Sequence, residues 1–442
     1  RVGPPPNGFV QAENAAAPLP GVPLVTKSLA PNDWNNFAPR IGFAYQMDQR
    51  GRLVLRGGYG IYYDRFSTRY ANTQLLDYPY LTLATAIFRP LADPFSPVPL
   101  PGAFPLTPTV PSPLGAPISG IYVAPDIRTP YVQQYSLNLQ WEFARDLLLE
   151  IGYVGSKGTK LLQVVTLNQP VYVRASNQFV IPLSPFLSTQ KNVAGGIQQV
   201  QTSSNSHYDS LQASVTKRLS AGLQFLAAYT FGKSIDYYSG SAVNELAAVP
   251  GDQLNWRANR GPSDFDRTHR FVASFVYDLP RAATDSQLAR ALLNGWQVAG
   301  IVVFQSGTPF SVVDAPNNFI VQRANIAPGF AGRIAGSGDV RRRLDAYFNT
   351  AAFVISRPNL NPNINTGVPN NPFFDPNAPF GNTGRNFLRG PGQRNVDFSA
   401  IKRFPLRERT DLEFRAEFFN LFNWANFANP NSNVAVPQTF GR

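Results

Sequence analysis

The chain contains no cysteine. Disulfide frameworks and thiolate metal sites are therefore excluded, while a place in the cell envelope that needs neither is allowed. Charged residues make up only 15% of the 442, histidine occurs twice and methionine once, so few titratable groups are available for a catalytic centre. No apolar run of about 18 residues or more occurs, which excludes a membrane-spanning helix on length. The opening, RVGPPPNGFVQAENAAAPLPG, has neither an initiator methionine nor the pattern of a secretory signal. The chain is therefore expected to be a fragment whose export signal lies upstream or was removed.

What is abundant points to strands. There are 33 Phe and 18 Tyr beside 34 Gly and 40 Pro, a balance that fits β-strands separated by irregular loops. The net charge of +12 raises the question of nucleic acid. The Lys and Arg residues are scattered or sit beside tight turns, without the single stripe that binding requires, and a surface facing acidic lipid headgroups is the plainer expectation.

Residues 131–155, YVQQYSLNLQWEFARDLLLEIGYVG, organise the rest. Gln133, Tyr135, Leu137, Leu139, Trp141 and Phe143 alternate with Gln134, Ser136, Asn138, Gln140 and Glu142. Period-two alternation puts the large apolar side chains on one face of a strand. After the turn Ala144, Arg145, Asp146, the residues Leu147, Leu149, Ile151 and Tyr153 continue that face and Glu150 and Gly152 oppose it, so the two segments predict an antiparallel hairpin. Each strand of roughly 10 residues is long enough to cross a bilayer at a tilt. Tyr135 and Tyr153 lie near one end, and Trp141 and Phe143 near the other. Rings at two levels with smaller apolar residues between them describe the girdles of an outer-membrane barrel.

The unit recurs. Residues 1–35 carry no sustained period and predict an irregular loop or tail. Residues 36–442 predict one barrel domain, with strands at 37–47 and 52–66, the hairpin above, 208–219 and 223–232, 269–279 and 296–305, and 394–404 and 411–420. The Pro-dense stretch 67–129 cannot supply a sheet ladder. It and residues 156–206, 233–268 and 306–392 are expected to be long loops. Residues 280–294 have room for one short helix with Leu288, Leu292 and Leu293 on one side. Links are short after the first, third, fifth, seventh and ninth strands and long after the others. That alternation marks bacterial outer-membrane barrels, short on the periplasmic side and long outside. The expected fold is all-β, an antiparallel transmembrane β-barrel, partial, of about 10 strands. By parity the tenth strand ends outside, and a final descending strand is expected to be missing after VPQTFGR.

Chemistry-bearing residues are few. His207 and His269, read as strand starts beside Tyr208 and Arg270, have no metal-ligand or helical spacing. Glu413 and Glu417 flank Arg415 on the wet face, where a lumen salt-bridge ladder is expected. Asp252, Asp264 and Asp266 lack the ordered oxygen-ligand spacing of a calcium loop. Gly155 to Lys160, GSKGTK, lacks the full spacing of a phosphate loop. Phe418, Phe419, Phe422, Trp424 and Phe427 are expected to anchor the outer rim. No catalytic, cofactor-binding or metal residue is assigned, and no cofactor.

The segments NNFAPRIGFAY, LRGGYGIYYDRF, TPYVQQYSLNLQWEF, IGYVGSKGTKL, HYDSLQASVTKRLSAGLQFLAAYTFGKS, FDRTHRFVASFVYDLP, GWQVAGIVVFQSGTPFSV and FRAEFFNLFNWANF resemble the carboxy-terminal barrel half of TonB-dependent outer-membrane receptors, more narrowly the Oar-like group. The resemblance implies a barrel of about 22 strands closed by an amino-terminal plug, energised through an inner-membrane TonB complex and importing scarce bulky ligands. No plug, TonB box or amino-terminal regulatory domain is recognisable, so roughly half a family barrel is expected. It also implies residence in the bacterial outer membrane, contact with its lipid, capture of an unidentified external ligand by loops, no nucleic acid and no enzymatic activity. Arg56, Asp64, Gln134, Asn138, Glu150, Gln212, Glu413 and Arg415 then line the lumen. A structural or adhesive surface protein and a soluble nucleic-acid-binding β-protein are the alternatives.

Overall fold

A computed structural model describes residues 11–12, 24–25, 33–65, 120–124, 126–166, 169–180, 197–240, 251–252, 255–315, 322–360, 367–407 and 410–442. Ten long strands form one antiparallel meander, each paired with its neighbours in sequence. They are β1 (Arg40–Gln46), β2 (Leu53–Tyr63), β3 (Tyr131–Ala144), β4 (Leu147–Thr166) and β5 (Ile197–Ser220). The second half comprises β6 (Leu223–Asp236), β7 (His269–Asp278), β8 (Trp296–Gln305), β9 (Gln393–Arg407) and β10 (Thr410–Phe418). Among the described residues β1 and β10 are the two edges of this sheet and do not pair with each other.

Register carries the alternation across the whole wall. Tyr45, Leu55, Leu139, Ile151, Ala213, Tyr229, Phe271 and Phe304 are successive partners over eight strands. One position along, Ala44, Arg56, Asn138, Gly152, Gln212, Thr230, Arg270 and Gln305 form the opposite row. A slip of one residue in any strand would send its apolar set to the polar side, so every pair must be in phase. The apolar face lies bare: in its next row Phe43 is 54% exposed, Leu137 49%, Leu211 50% and Phe231 48%. A continuous uncovered patch of this size is unsustainable in water and is what lipid requires.

Tight turns close the hairpins at one end. Ala221 and Gly222 have φ of 50° and 76° between Ser220 and Leu223, the left-handed pair that matches strand twist. A Cβ on Gly222 would meet the Asp278 carbonyl oxygen at 2.7 Å. Asp146 takes φ 63° at the β3–β4 turn. Between β7 and β8 the leucine spacing yields helix α1 (Gln287–Leu293), capped by the Ser286 hydroxyl accepting from the Ala289 amide. Leu288, Leu292 and Leu293 are exposed.

Two expectations need correction. Residues 156–206 are not one loop: β4 runs to Thr166 and β5 starts at Ile197. At ~3.3 Å per residue these strands are roughly 65 and 80 Å long, about twice what a tilted crossing of a ~25 Å apolar band needs. Their outer halves stand in water, so the apolar alternation that signals a membrane strand is not required there. They are held instead by ladder pairs up to Thr166 with Gln198, and by Val123, Ile127, Val164 and Val200 packed together. Gly120–Val123, from the end of the Pro-dense stretch, pairs parallel to the start of β5. Residues 66–119, most of that stretch, lie outside the described residues, as does most of 1–35. His207, read as a strand start, lies inside β5.

The second correction concerns residues 306–392. Those of them that are described are irregular but packed, with Phe310, Val312, Ala324, Phe348, Ala352, Phe353 and Leu388 in one core that also takes Phe440 from beyond β10. Short pairs at Pro309–Phe310 with Leu388–Arg389 and at Asn325–Ile326 with Phe353–Val354 tie it together. Aromatic edges meet within this core, Phe348 with Phe353 at 5.6 Å and with Phe440 at 5.2 Å. Burying rings of this size contributes roughly 1.5–3 kcal/mol each, enough to make a folded unit from a stretch without period.

Candidate functional site at the outer mouth

The wall's polar face is built from short and hydrogen-bonding side chains. Gly42, Gly58, Ser136, Val154, Ser210 and Gly232 are register partners across six strands. With so little side chain there, a groove of about 590 Å³ forms between Arg40, Tyr62, Gln134, Ser156 and Tyr208. The Arg40 guanidinium lies 4.6 Å from the Tyr62 ring centroid. Lower down, the Asn138 amide lies across Gly152, where a Cβ would collide with it, and Ser214 donates to Glu150 at 3.4 Å. Toward the short-turn end Glu413 accepts from Arg403 at 3.1 Å and from Arg415 at 2.8 Å, and Arg415 reaches Glu417 at 3.6 Å. The expected ladder is therefore present. Asp64 lies just past β2, its amide bonded to the Pro130 carbonyl.

Above the wall, arginines fasten the unit at 306–392 to the extension of β6. Arg385 Nη1 is 2.5 Å from Asp236 Oδ1, both side chains no more than 4% exposed. Its Nη2 donates to Ser239 at 2.6 Å and reaches Asp264 at 3.2 Å, and Asn386 donates to Asp264 at 2.6 Å. Arg389 pairs with Asp266, which also accepts from the Ser234 amide at 2.6 Å. Arg323 donates to Asn259 at 2.7 Å. Within the unit Asp314 accepts from the Ser356 and Arg357 amides at 2.9 and 3.0 Å and pairs with the Arg357 guanidinium. Burial pushes the Asp314 carboxyl above its usual range, and the Arg357 charge pulls it back.

These contacts decide where the acidic residues of the sequence go. Asp264 and Asp266 do not converge on a cation but face Arg385 and Arg389 respectively, while Asp252 accepts from Gln169 at 2.8 Å. His207 pairs with Asp209 at 2.5 Å, and His269 Nδ1 meets the Tyr229 hydroxyl at 2.7 Å. The two histidines sit in separate clusters. Residues 155–160, GSKGTK, are strand within β4. Gly155, Ser156 and Lys157 are matched with Tyr135, Gln134 and Gln133 on β3, and the pairing continues to Thr159 with Tyr131, so up to Thr159 the backbone is extended in the ladder and does not curl around an anion; Lys160 alone takes a left-handed φ of 55°.

The aromatic run after β10 sits at the outer rim on the apolar side. Phe422 stacks on Trp424 at 4.9 Å, and Trp424 contacts Phe304 at 5.9 Å. Asn426 accepts from the Arg394 amide at 2.9 Å and donates back to its carbonyl at 3.1 Å. One amide side chain thus replaces a missing strand partner and closes the free upper edge of β9. No motif announces Arg385 or Asp236, because they are 149 residues apart and each looks like any loop charge. The only sequence signal is the crowding of arginine at 385, 389 and 394 in a stretch with no acid between Asp375 and Asp397.

A membrane-facing apolar row, an opposing polar row and a water-side packed unit over the long-loop end define an outer-membrane β-barrel wall. The model of the family described as outer membrane beta barrel domain matches residues 5–442, and the chain belongs to that family. It resides in the outer membrane. No curated protein matches it. Among solved structures it is similar to the outer membrane transporter YddB from Escherichia coli, at 8% identity and TM-score 0.46, covering 88% of this chain and 37% of that one. It is also similar to the siderophore receptor PirA from Acinetobacter baumannii, at 10% identity and TM-score 0.41, covering 92% and 39%. The chain thus spans about two fifths of the length of these structures.

Proposed function

We propose that the chain is part of the barrel of a TonB-dependent receptor of the Oar-like group, with residues 36–442 as its barrel domain. In the intact protein the outer unit captures a ligand, which then passes along the lumen under energy supplied through the inner-membrane TonB complex. The observation that carries this proposal is the fastening of the 306–392 unit to the wall by buried Arg–Asp pairs. A held platform presents binding groups in one arrangement and so avoids the ordering entropy a loose loop would lose on binding. It stands at the end of a polar wall with a groove at its mouth. The wall conducts and positions; no bond is made or broken in this scheme.

The test compares wild-type cells with cells lacking the gene, offered labelled ferric chelates, oligosaccharides and peptides with and without a protonophore. Loss of uptake of one class, matched by protonophore inhibition of that class in wild-type cells, is expected. Unchanged uptake of all three, with reduced attachment of the mutant cells to surfaces, would replace transport with adhesion.

A further inference from the structure

On the lipid-facing side of the wall, at its outer end, a cavity of about 690 Å³ opens between three parts of the chain. Its floor is one register row, Tyr229, Phe271 and Phe304, with Arg394 next in line on β9. Residues 338–341 of the outer unit form one wall, and Ala425 and Phe427 the other. Phe304 is about 26 Å along β8 from Trp296. Those two rings bracket the apolar band, which puts Arg394 at the outer headgroup level.

The charges there differ from those of the paired arginines above the wall. Arg357, Arg385 and Arg389 each face a carboxylate. Arg341 and Arg394 face none among the described residues. Arg394 lies 4.7 Å from the Trp424 ring centroid, and Arg341 Nη2 reaches the Asn423 carbonyl at 3.4 Å. The acidic residue at the cavity, Asp339, is occupied by accepting from the Arg341 amide at 3.1 Å as the cap of the turn Val340–Arg343. Arg342 adds a further exposed cation beside it.

We propose that this cavity binds an outer-leaflet lipid bearing phosphate on its headgroup, with the phosphate between Arg341 and Arg394 and the upper acyl chains against Tyr229, Phe271 and Phe304. Guanidinium forks match phosphate oxygens two at a time, and aromatic faces at this depth suit the boundary between chain and headgroup. A soluble anion would gain the arginines but leave the ring floor wet, whereas a neutral lipid would cover the rings but leave both guanidinium groups unpaired. The site is on the outside of the wall, so it is independent of whether anything passes through the lumen.

The test uses the protein expressed from its complete reading frame, in nonionic micelles. Fluorescence of Trp424, isolated by comparison with Trp424→Phe, follows titration with diphosphoryl lipid A, with the same lipid after phosphatase treatment, and with inorganic phosphate. Saturable binding of the phosphorylated lipid, at least tenfold weaker after phosphatase and at least tenfold weaker in Arg341→Ala/Arg394→Ala, is expected. Arg415→Ala on the polar face should bind as wild type. Equal binding of the two lipids, or saturation by inorganic phosphate at the same concentration, would overturn the proposal. Should the double variant fail to fold, the comparison of lipids on the wild-type protein still decides.

Discussion

Replacing Arg385 with alanine tests the fastening of the outer unit. The side chain is 3% exposed and its partner Asp236 4%. Removing the guanidinium leaves a buried carboxylate whose remaining side-chain donor is the Ser239 hydroxyl, 2.8 Å from Oδ2. Breaking a buried pair by deleting one partner costs about 3–5 kcal/mol, or roughly two to three and a half orders of magnitude in an opening equilibrium. The loss should fall on the docking of residues 306–392 onto β6 and not on the wall, whose ladder is held by its own register pairs. Hydrogen exchange of the protein in micelles, read by mass spectrometry, should show peptides from 306–392 exchanging at least 100-fold faster, about 2.7 kcal/mol, while β7 and β8 are unchanged. Arg385→Met combined with Asp236→Leu removes both charges and should recover most of the protection. The exposed ladder variant Arg415→Ala should lose no more than about 1 kcal/mol. Unaltered exchange over 306–392 in Arg385→Ala would refute the fastening, as would loosening of β7 and β8 first.

Other expectations follow from the same geometry. Leu139→Arg, on the apolar face midway between the girdles, should destabilise the folded wall in vesicles by about 2–4 kcal/mol, while Gln140→Arg next to it should change the urea midpoint little; equal losses would invalidate the face assignment. Gly222→Ala should lower the folding yield, costing roughly 1–2 kcal/mol for left-handed backbone, and the added Cβ would also press on the Asp278 carbonyl. Burial raises the Tyr347 hydroxyl above its ordinary value. The unfolded chain then releases this proton first, so outer-unit stability should fall as pH rises past about 10. Tyr347→Phe should flatten that decline in a thermal melt, at the cost of the bond from the Tyr347 hydroxyl to the Arg389 carbonyl at 3.0 Å.

The wall was legible because its causes are local. Lipid on one side and a polar interior on the other impose a period of two on each membrane strand, as in 133–143, and short turns leave their own marks, as at Ala221 and Gly222. Those two signals, read together, were enough for strand count, strand direction and the sidedness of the wall. The outer halves of β4 and β5 were not legible. Once past the lipid, Lys157, Gly158, Gln201 and Ser204 still pair in the ladder, yet nothing there demands alternating grease.

The outer unit was decided by tertiary structure alone. Phe310, Phe348 and Phe440 meet across about 130 residues, and Arg385 finds Asp236 from the far side of two wall strands, β7 and β8. Charges and rings in an aperiodic stretch become a core or a fastening only when the wall brings them together. Local sequence therefore determined which side of each strand meets lipid, and the folded wall determined what stands above it, because the first follows from neighbours along the chain and the second from neighbours across it.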